Sequence, residues 1–250
     1  MGGGGQTPAD QGFVLGYAPF PPLGSNGMVQ SAAGGLTTLN TSAQRGDSAG
    51  YFSYFPVVPL VPYAGQHPNM PVVLDHAAGF SVDFTLRVLS EGHNSPRDDN
   101  GDGVDDRAGF SVIVITQDLK GIELGFWADQ VWAYDDDSVA ANRMFTHAES
   151  SDGFDPSGAL HSYSLAIQDD GYTLWANGWP VLGGSLRDYT NQSVPVFNPY
   201  TQPNFLFFGD DTTSADSVVQ IGYIAVAVPE PGVLAGLGLG MICLRRRRYE

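Results

Sequence analysis

Hydrophobic and polar residues alternate with a period of two through much of the chain. Phe80, Val82, Phe84, Leu86 and Val88 interleave with Ser81, Asp83, Thr85 and Arg87. Successive side chains of a strand point to opposite faces, so one set is predicted to be buried and the other to face water. Residues 110–115 are apolar on both faces, as a central strand would be, and 122–126 and 131–134 continue the pattern. Tyr163, Leu165 and Ile167 alternate again before Asp169-Asp170-Gly171 turns the chain. A strand at 172–176, a turn at Asn177-Gly178 and a strand at 179–182 follow. Asp-Gly and Asn-Gly suit type I′ hairpin turns, whose central residues need positive φ. Further strands are predicted at 205–208 and 218–228, and a first β region at 28–55. Pro56, Pro59, Pro62, Pro68 and Pro71 make a stretch poor in ladder donors, read as a surface connection or edge. No segment of the body sustains a helical period. The prediction is an all-β antiparallel sandwich or jelly roll over residues 28–228, after an irregular segment 1–27.

Composition supports one β domain and narrows its partners. The 250 residues are 42% hydrophobic and 15% charged, with 32 Gly and 17 Pro. That is enough for a sizeable core with many tight turns. Seven basic and 25 acidic side chains precede residue 229, a formal charge of −18. Such a surface repels phosphate backbones, so nucleic acid is excluded as a partner, while cations are attracted. The single cysteine, Cys243, lies outside this body, which excludes a thiol catalyst or a thiolate metal site there. The start, Met1-Gly2-Gly3-Gly4-Gly5-Gln6, has no basic region followed by an apolar one. An exported form would therefore need a leader lost to a miscalled start or to removal.

Two stretches resemble known groups. Residues 163–182, YSLAIQDDGYTLWANGWPVL, look like the paired hairpins of laminin-G-like and concanavalin A-like lectin/glucanase domains. This resemblance implies a lectin-like sandwich but names no ligand, because the fold hosts lectins, hydrolases and adhesion modules. At the end, Pro229-Glu230-Pro231 is followed by an uncharged stretch, 232–244, and then by Arg245, Arg246, Arg247 and Arg248. This order resembles the PEP-CTERM sorting signal. The resemblance implies a short C-terminal apolar helix, export to the bacterial cell envelope or extracellular matrix, and transient membrane retention. It also implies processing by exosortase-type machinery and an association with extracellular polysaccharide. The proline pair would stop the last strand, and the arginines would stay cytoplasmic. Thirteen helical residues span about 20 Å, less than the ~30 Å hydrocarbon core, so snorkelling and local thinning would have to cover the gap.

Candidate chemistry is sparse. Asp98-Asp99-Asn100-Gly101-Asp102-Gly103-Val104-Asp105-Asp106 reads D-x-N-x-D-G-x-x-D. Asp98, Asn100, Asp102, Asp106 and the Val104 carbonyl could wrap a calcium ion, with Gly103 allowing the sharp turn. Gly109 stands where a bidentate Glu would complete a sensor loop, so weak extracellular-type affinity is expected; the plainer reading is a solvated hairpin tip. Asp135–Asp137 and Asp210-Asp211 are read as solvated turns. Trp127, Trp132, Tyr134, Trp175 and Trp179 could stack sugars, although core packing is the commoner role for aromatics. Alternation puts Tyr172 and Leu174 on one face and Thr173 and Trp175 on the other. No E-x-D-x-x-E, H-E-x-x-H, G-x-S-x-G or P-loop occurs, and Glu123 has no carboxylate two or five residues away on its strand. The expected function is a non-catalytic polysaccharide binder with calcium support. The rivals are a glycoside hydrolase or lyase of the same fold and a structural matrix or adhesion protein without a sugar site.

Overall fold

The computed structural model describes residues 7–8, 10, 13–18, 27–43, 46–53, 73–93, 95–137, 144–151, 153–192 and 198–228. In chain order the strands are β1 (Val14–Ala18), β2 (Val29–Ala33), β3 (Leu36–Asn40), β4 (Ser48–Phe52), β5 (Phe80–Gly92), β6 (Ser111–Ile115) and β7 (Gly121–Phe126). They continue with β8 (Val131–Tyr134), β9 (His147–Ser150), β10 (His161–Gln168), β11 (Gly171–Ala176), β12 (Trp179–Ser185), β13 (Phe205–Asp210) and β14 (Asp216–Ala227). They form two seven-stranded sheets. The first runs β1-β4-β13-β6-β7-β8-β9 and the second β12-β11-β10-β5-β14-β3-β2. Paired neighbours are antiparallel throughout.

The expected all-β antiparallel sandwich is therefore present, with one correction. The helical element between these strands is a single 3-10 turn, Pro199–Thr201, and among the described residues no helix reaches seven residues. The fold class is all-β alone. The C-terminal apolar helix expected at 232–244 lies outside the described residues and is withdrawn. The proline-rich stretch 56–72 also lies outside them. Val14–Ala18 pairs with β4, so the sandwich takes in part of the segment expected to be irregular.

The inward residues of β5 supply the middle of the core, as the alternation predicts. Phe80, Val82, Phe84, Leu86 and Val88 are all buried. Phe84 stacks on Tyr163 of β10 at 5.1 Å between centroids and meets Phe208 of β13 edge-on at 5.4 Å. The sheets thus interlock through aromatic rings at their centres. Asn177 and Gly178 have φ of 52° and 83°, the positive values that their hairpin requires. In the preceding hairpin Asp169 takes φ 51°, and Gly171 stands outside the turn as the first residue of β11.

A second apolar cluster covers the outer face of the first sheet. It contains Ile113, Ile115, Trp132, Tyr134, Tyr189, Tyr200, Phe205 and Phe207. The two outer faces are therefore unlike: one is roofed by aromatic side chains from loops, while the other carries an open groove.

Candidate functional site

The groove lies on the outer face of the second sheet and encloses about 390 Å³. Its walls include Asp83 of β5, Ser162, Ser164 and Ala166 of β10, Trp175 of β11 and Tyr223 of β14. Strand register explains their meeting. Ser164 is directly opposite Trp175 on one side and Asp83 on the other, and Asp83 is opposite Ala225. A row of side chains therefore crosses four strands on one face. Trp175 is 38% exposed and Tyr223 37%, so both rings are open to solvent. The Ser81 hydroxyl donates to Asp83 Oδ2 at 3.1 Å, leaving the carboxylate further acceptor capacity. Trp179, 76% exposed, follows Gly178 but does not line the groove.

The structure divides the five aromatics that the sequence singled out. Trp175 reaches the groove and Trp179 stands next to its edge, whereas Trp127, Trp132 and Tyr134 pack on the opposite sheet. Trp132 and Tyr134 are buried. Trp132 stacks on His147 at 4.2 Å and meets Trp127 edge-on at 4.6 Å. The Tyr134 hydroxyl accepts from the Ala108 N–H at 3.0 Å, and Trp127 Nε1 donates to the Arg107 carbonyl at 2.9 Å. Burial drives the His147 pKa down to about 4, so its imidazole is neutral at neutral pH. These contacts assign Trp132 and Tyr134 to packing, a correction to their candidacy as a sugar surface, and the partly buried Trp127 packs against them. Asp83 and Tyr223 were missed. Asp83 was legible as solvent-facing, but nothing in the run 218–228 marked Tyr223.

The acidic loop folds on itself. Asp98 accepts the N–H groups of Gly101, Asp102 and Gly103, and Asp102 accepts that of Val104. Gly101 and Gly103 take φ of 83° and 88°. The base of the loop is tied by Arg107 to Asp99 at 2.5 Å and by His93 to Asp105 at 2.6 Å. Asp106 is buried. Its Oδ2 accepts the Asp99 N–H, while Oδ1 has no hydrogen-bond partner among the described residues. Burial raises its pKa to about 6, against the opposing pull of that N–H. The donor set suits a hard cation in kind, but no three His, Cys, Asp or Glu side chains converge as a metal cage among the described residues.

The other acidic runs are only in part the solvated turns expected of them: Asp137 is exposed at a positive φ of 67°. Asp135 and Asp210 are buried, and Asp211 joins Glu123. Glu123, on the outward row of β7, is only 2% exposed. Its carboxyl shares a hydrogen bond with that of Asp211 and accepts the Tyr200 hydroxyl at 2.6 Å. Burial raises both carboxyl pKa values, and for Glu123 the neighbouring charge adds to the rise. Asp211 as a residue is exposed, while its carboxyl is turned inward and buried with that of Glu123. No spacing rule along one strand could find this pair, because Asp211 arrives from the β13–β14 corner.

Comparison with known proteins bears on destination. The chain carries a PEP-CTERM protein-sorting motif. It spans residues 227–248, which include Pro229, Glu230, Pro231 and the four terminal arginines. The protein is thus sorted to the bacterial cell envelope or extracellular matrix, and the motif supports processing by an exosortase-type system. From 229 onward the motif lies outside the described residues. No curated protein matches the sequence. Among solved structures, similar chains include a carbohydrate esterase from the Shiga toxin-encoding bacteriophage phi24B, with 15% identity, 86% of this chain and 90% of that chain covered, and a TM-score of 0.48. A sialidase shows 11% identity over 89% of this chain and 19% of its own, at 0.43. A human galectin-16 variant shows 14% over 71% and 99%, at 0.38. At these scores the likenesses transfer no site and no activity. They assign the chain to no particular sandwich family, whether concanavalin A-like or laminin-G-like.

Proposed function

We propose that this protein is an exported, non-catalytic β-sandwich that binds extracellular polysaccharide in the groove of the second sheet. One observation carries the reading: Trp175 and Tyr223 present exposed rings on an open groove that also displays the Ser162 and Ser164 hydroxyls and the Asp83 carboxylate. A pyranose ring offers an apolar C–H face to an aromatic ring and hydroxyls to polar groups around it. A few placed polar groups in a mainly apolar concavity are the usual form of a small-ligand site.

The arrangement of carboxyls supports the non-catalytic reading over a paired-carboxyl glycoside hydrolase. Glycoside cleavage by paired carboxyls needs them about 5–9.5 Å apart, with the scissile bond between. The groove's described lining contains one carboxylate, Asp83. Glu123 and Asp211 are in direct hydrogen-bonding contact, with Glu123 buried beneath Tyr200. A glycoside hydrolase built on this pair would have to part them first. A purely structural matrix role would leave the exposed Trp175 and Tyr223 unexplained. Calcium enters as a support: Asp98, Asn100, Asp102, Val104 and Asp106 would hold it, with the unpartnered Asp106 Oδ1 as the ligand the loop itself does not use.

Affinity electrophoresis through gels containing matrix polysaccharides tests the reading. Retardation is expected for the native chain, and Trp175→Ala is expected to weaken it about tenfold, the equivalent of about 1.4 kcal/mol. Undiminished retardation of the variant would remove the groove as the binding site. Release of reducing ends would overturn the non-catalytic assignment.

A further inference from the structure

We propose that the groove takes a polymer of amino sugars carrying free ammonium groups, with Asp83 as the counter-ion. This inference rests on the reading of the groove as a glycan site and names its ligand class. Asp83 lies in the row Trp175–Ser164–Asp83–Ala225, so its carboxylate stands two strands from the indole. It is the single charged residue of the groove's described lining. No described cation pairs with it; its side-chain partner is the Ser81 hydroxyl. The nearest base along the same strand, Arg87, turns its Nε to the Ser157 carbonyl at 2.9 Å and does not line the groove.

A neutral sugar stacked between Trp175 and Tyr223 would desolvate Asp83 while offering it only hydroxyls. A uronate or sulfated sugar would bring a second negative charge against it, on a body already carrying 25 acidic and seven basic side chains. An ammonium on the ring supplies the missing charge. It also sits favourably near the faces of two aromatic rings, whose quadrupoles attract cations. Carboxylate, indole, phenol and paired serine hydroxyls match the charge, apolar face and hydroxyls of a 2-amino-2-deoxyhexose unit.

Isothermal titration with three oligosaccharides of equal length decides the matter: a glucosamine oligomer below the pKa of its amine, its N-acetylated counterpart, and a uronate oligomer. The glucosamine oligomer is expected to bind about tenfold tighter than the acetylated one, and the uronate weakest. The preference should shrink towards about 1 M salt, where the screening length falls to about 3 Å. Asp83→Asn is expected to erase the preference, read as the ratio of the amino oligomer's affinity to that of the acetylated one. Equal affinity for the amino and acetylated oligomers overturns the inference and leaves the glycan reading standing. So does a preference that survives Asp83→Asn, because a polycation held by the acidic surface at large would hardly notice one charge. Absence of binding to all three, or binding insensitive to Trp175→Ala, overturns the groove reading itself.

Discussion

Glu123 shows how far a single residue can be set by its surroundings. Its side chain is buried, bonded to Tyr200 and Asp211, and its pKa lies well above the ordinary 4.5. A carboxyl whose pKa is higher folded than unfolded stabilises the fold fully below its unfolded value and loses that contribution as pH rises through the folded one. Stability is therefore expected to fall as pH rises above about 4.5. Glu123→Gln, which keeps a donor for Asp211 and an acceptor for Tyr200, is expected to flatten the slope. Melting temperatures across a pH series check this, and an unchanged slope in the variant would refute it. Gly125, two residues on, is set by a different constraint. A Cβ there would lie 2.5 Å from the Trp132 ring. Gly125→Ala is expected to cost about 1–3 kcal/mol in chemical denaturation, the usual price of overpacking.

At the scale of elements, the acidic loop and the β10–β11–β12 hairpins do opposite things with similar turn chemistry. In the hairpins, positive φ at Asp169 helps reverse the chain between β10 and β11, so that Trp175 is set beside Ser164 on the outer face. In the loop, Gly101 and Gly103 let Asp98 gather three amides, and the chain closes over the buried Asp106. If the loop takes calcium as proposed, a free concentration ten times Kd adds about 1.4 kcal/mol of stability. For a domain of this size that is a rise of roughly 3–6 °C. Calorimetry with and without EDTA measures it, and Asp106→Asn is expected to remove most of the rise. Identical melting curves with and without calcium would dismiss the metal.

For the whole molecule, a polar clamp ties the two sheets at the β9 end. Glu149 of β9 accepts from Arg187 Nη2 at 2.7 and 2.6 Å and from the Tyr172 hydroxyl of β11 at 3.0 Å. The Arg187 backbone also exchanges hydrogen bonds with Gly121 of β7. Arg187→Ala leaves a half-buried carboxylate without its charge partner, and a loss of about 1–3 kcal/mol is expected in urea unfolding. The fate of the molecule depends on its other end. Mass analysis of protein secreted by a native host is expected to show loss of residues beyond about Pro229. Replacing Arg245–Arg248 with alanine is expected to abolish sorting. Secretion of the intact chain at its full mass would count against processing there.

Period-two alternation and turn chemistry are local, and both could be read from the chain alone. The inward row of β5, the hairpins around Asn177-Gly178 and the sorting motif at 227–248 all depend on neighbours in sequence. What lies on each outer face depends on strands that are far apart in the chain. Asp83 meets Trp175 only because β10 lies between β5 and β11, and Glu123 meets Asp211 only because β13 returns beside β6. The aromatics divided for the same reason: alternation sets Trp175 on the face opposite Tyr172 and Leu174, but it says neither which face looks inward nor which outer face is roofed. Burial and charge pairing are sums over the folded surroundings, and no window of sequence contains them.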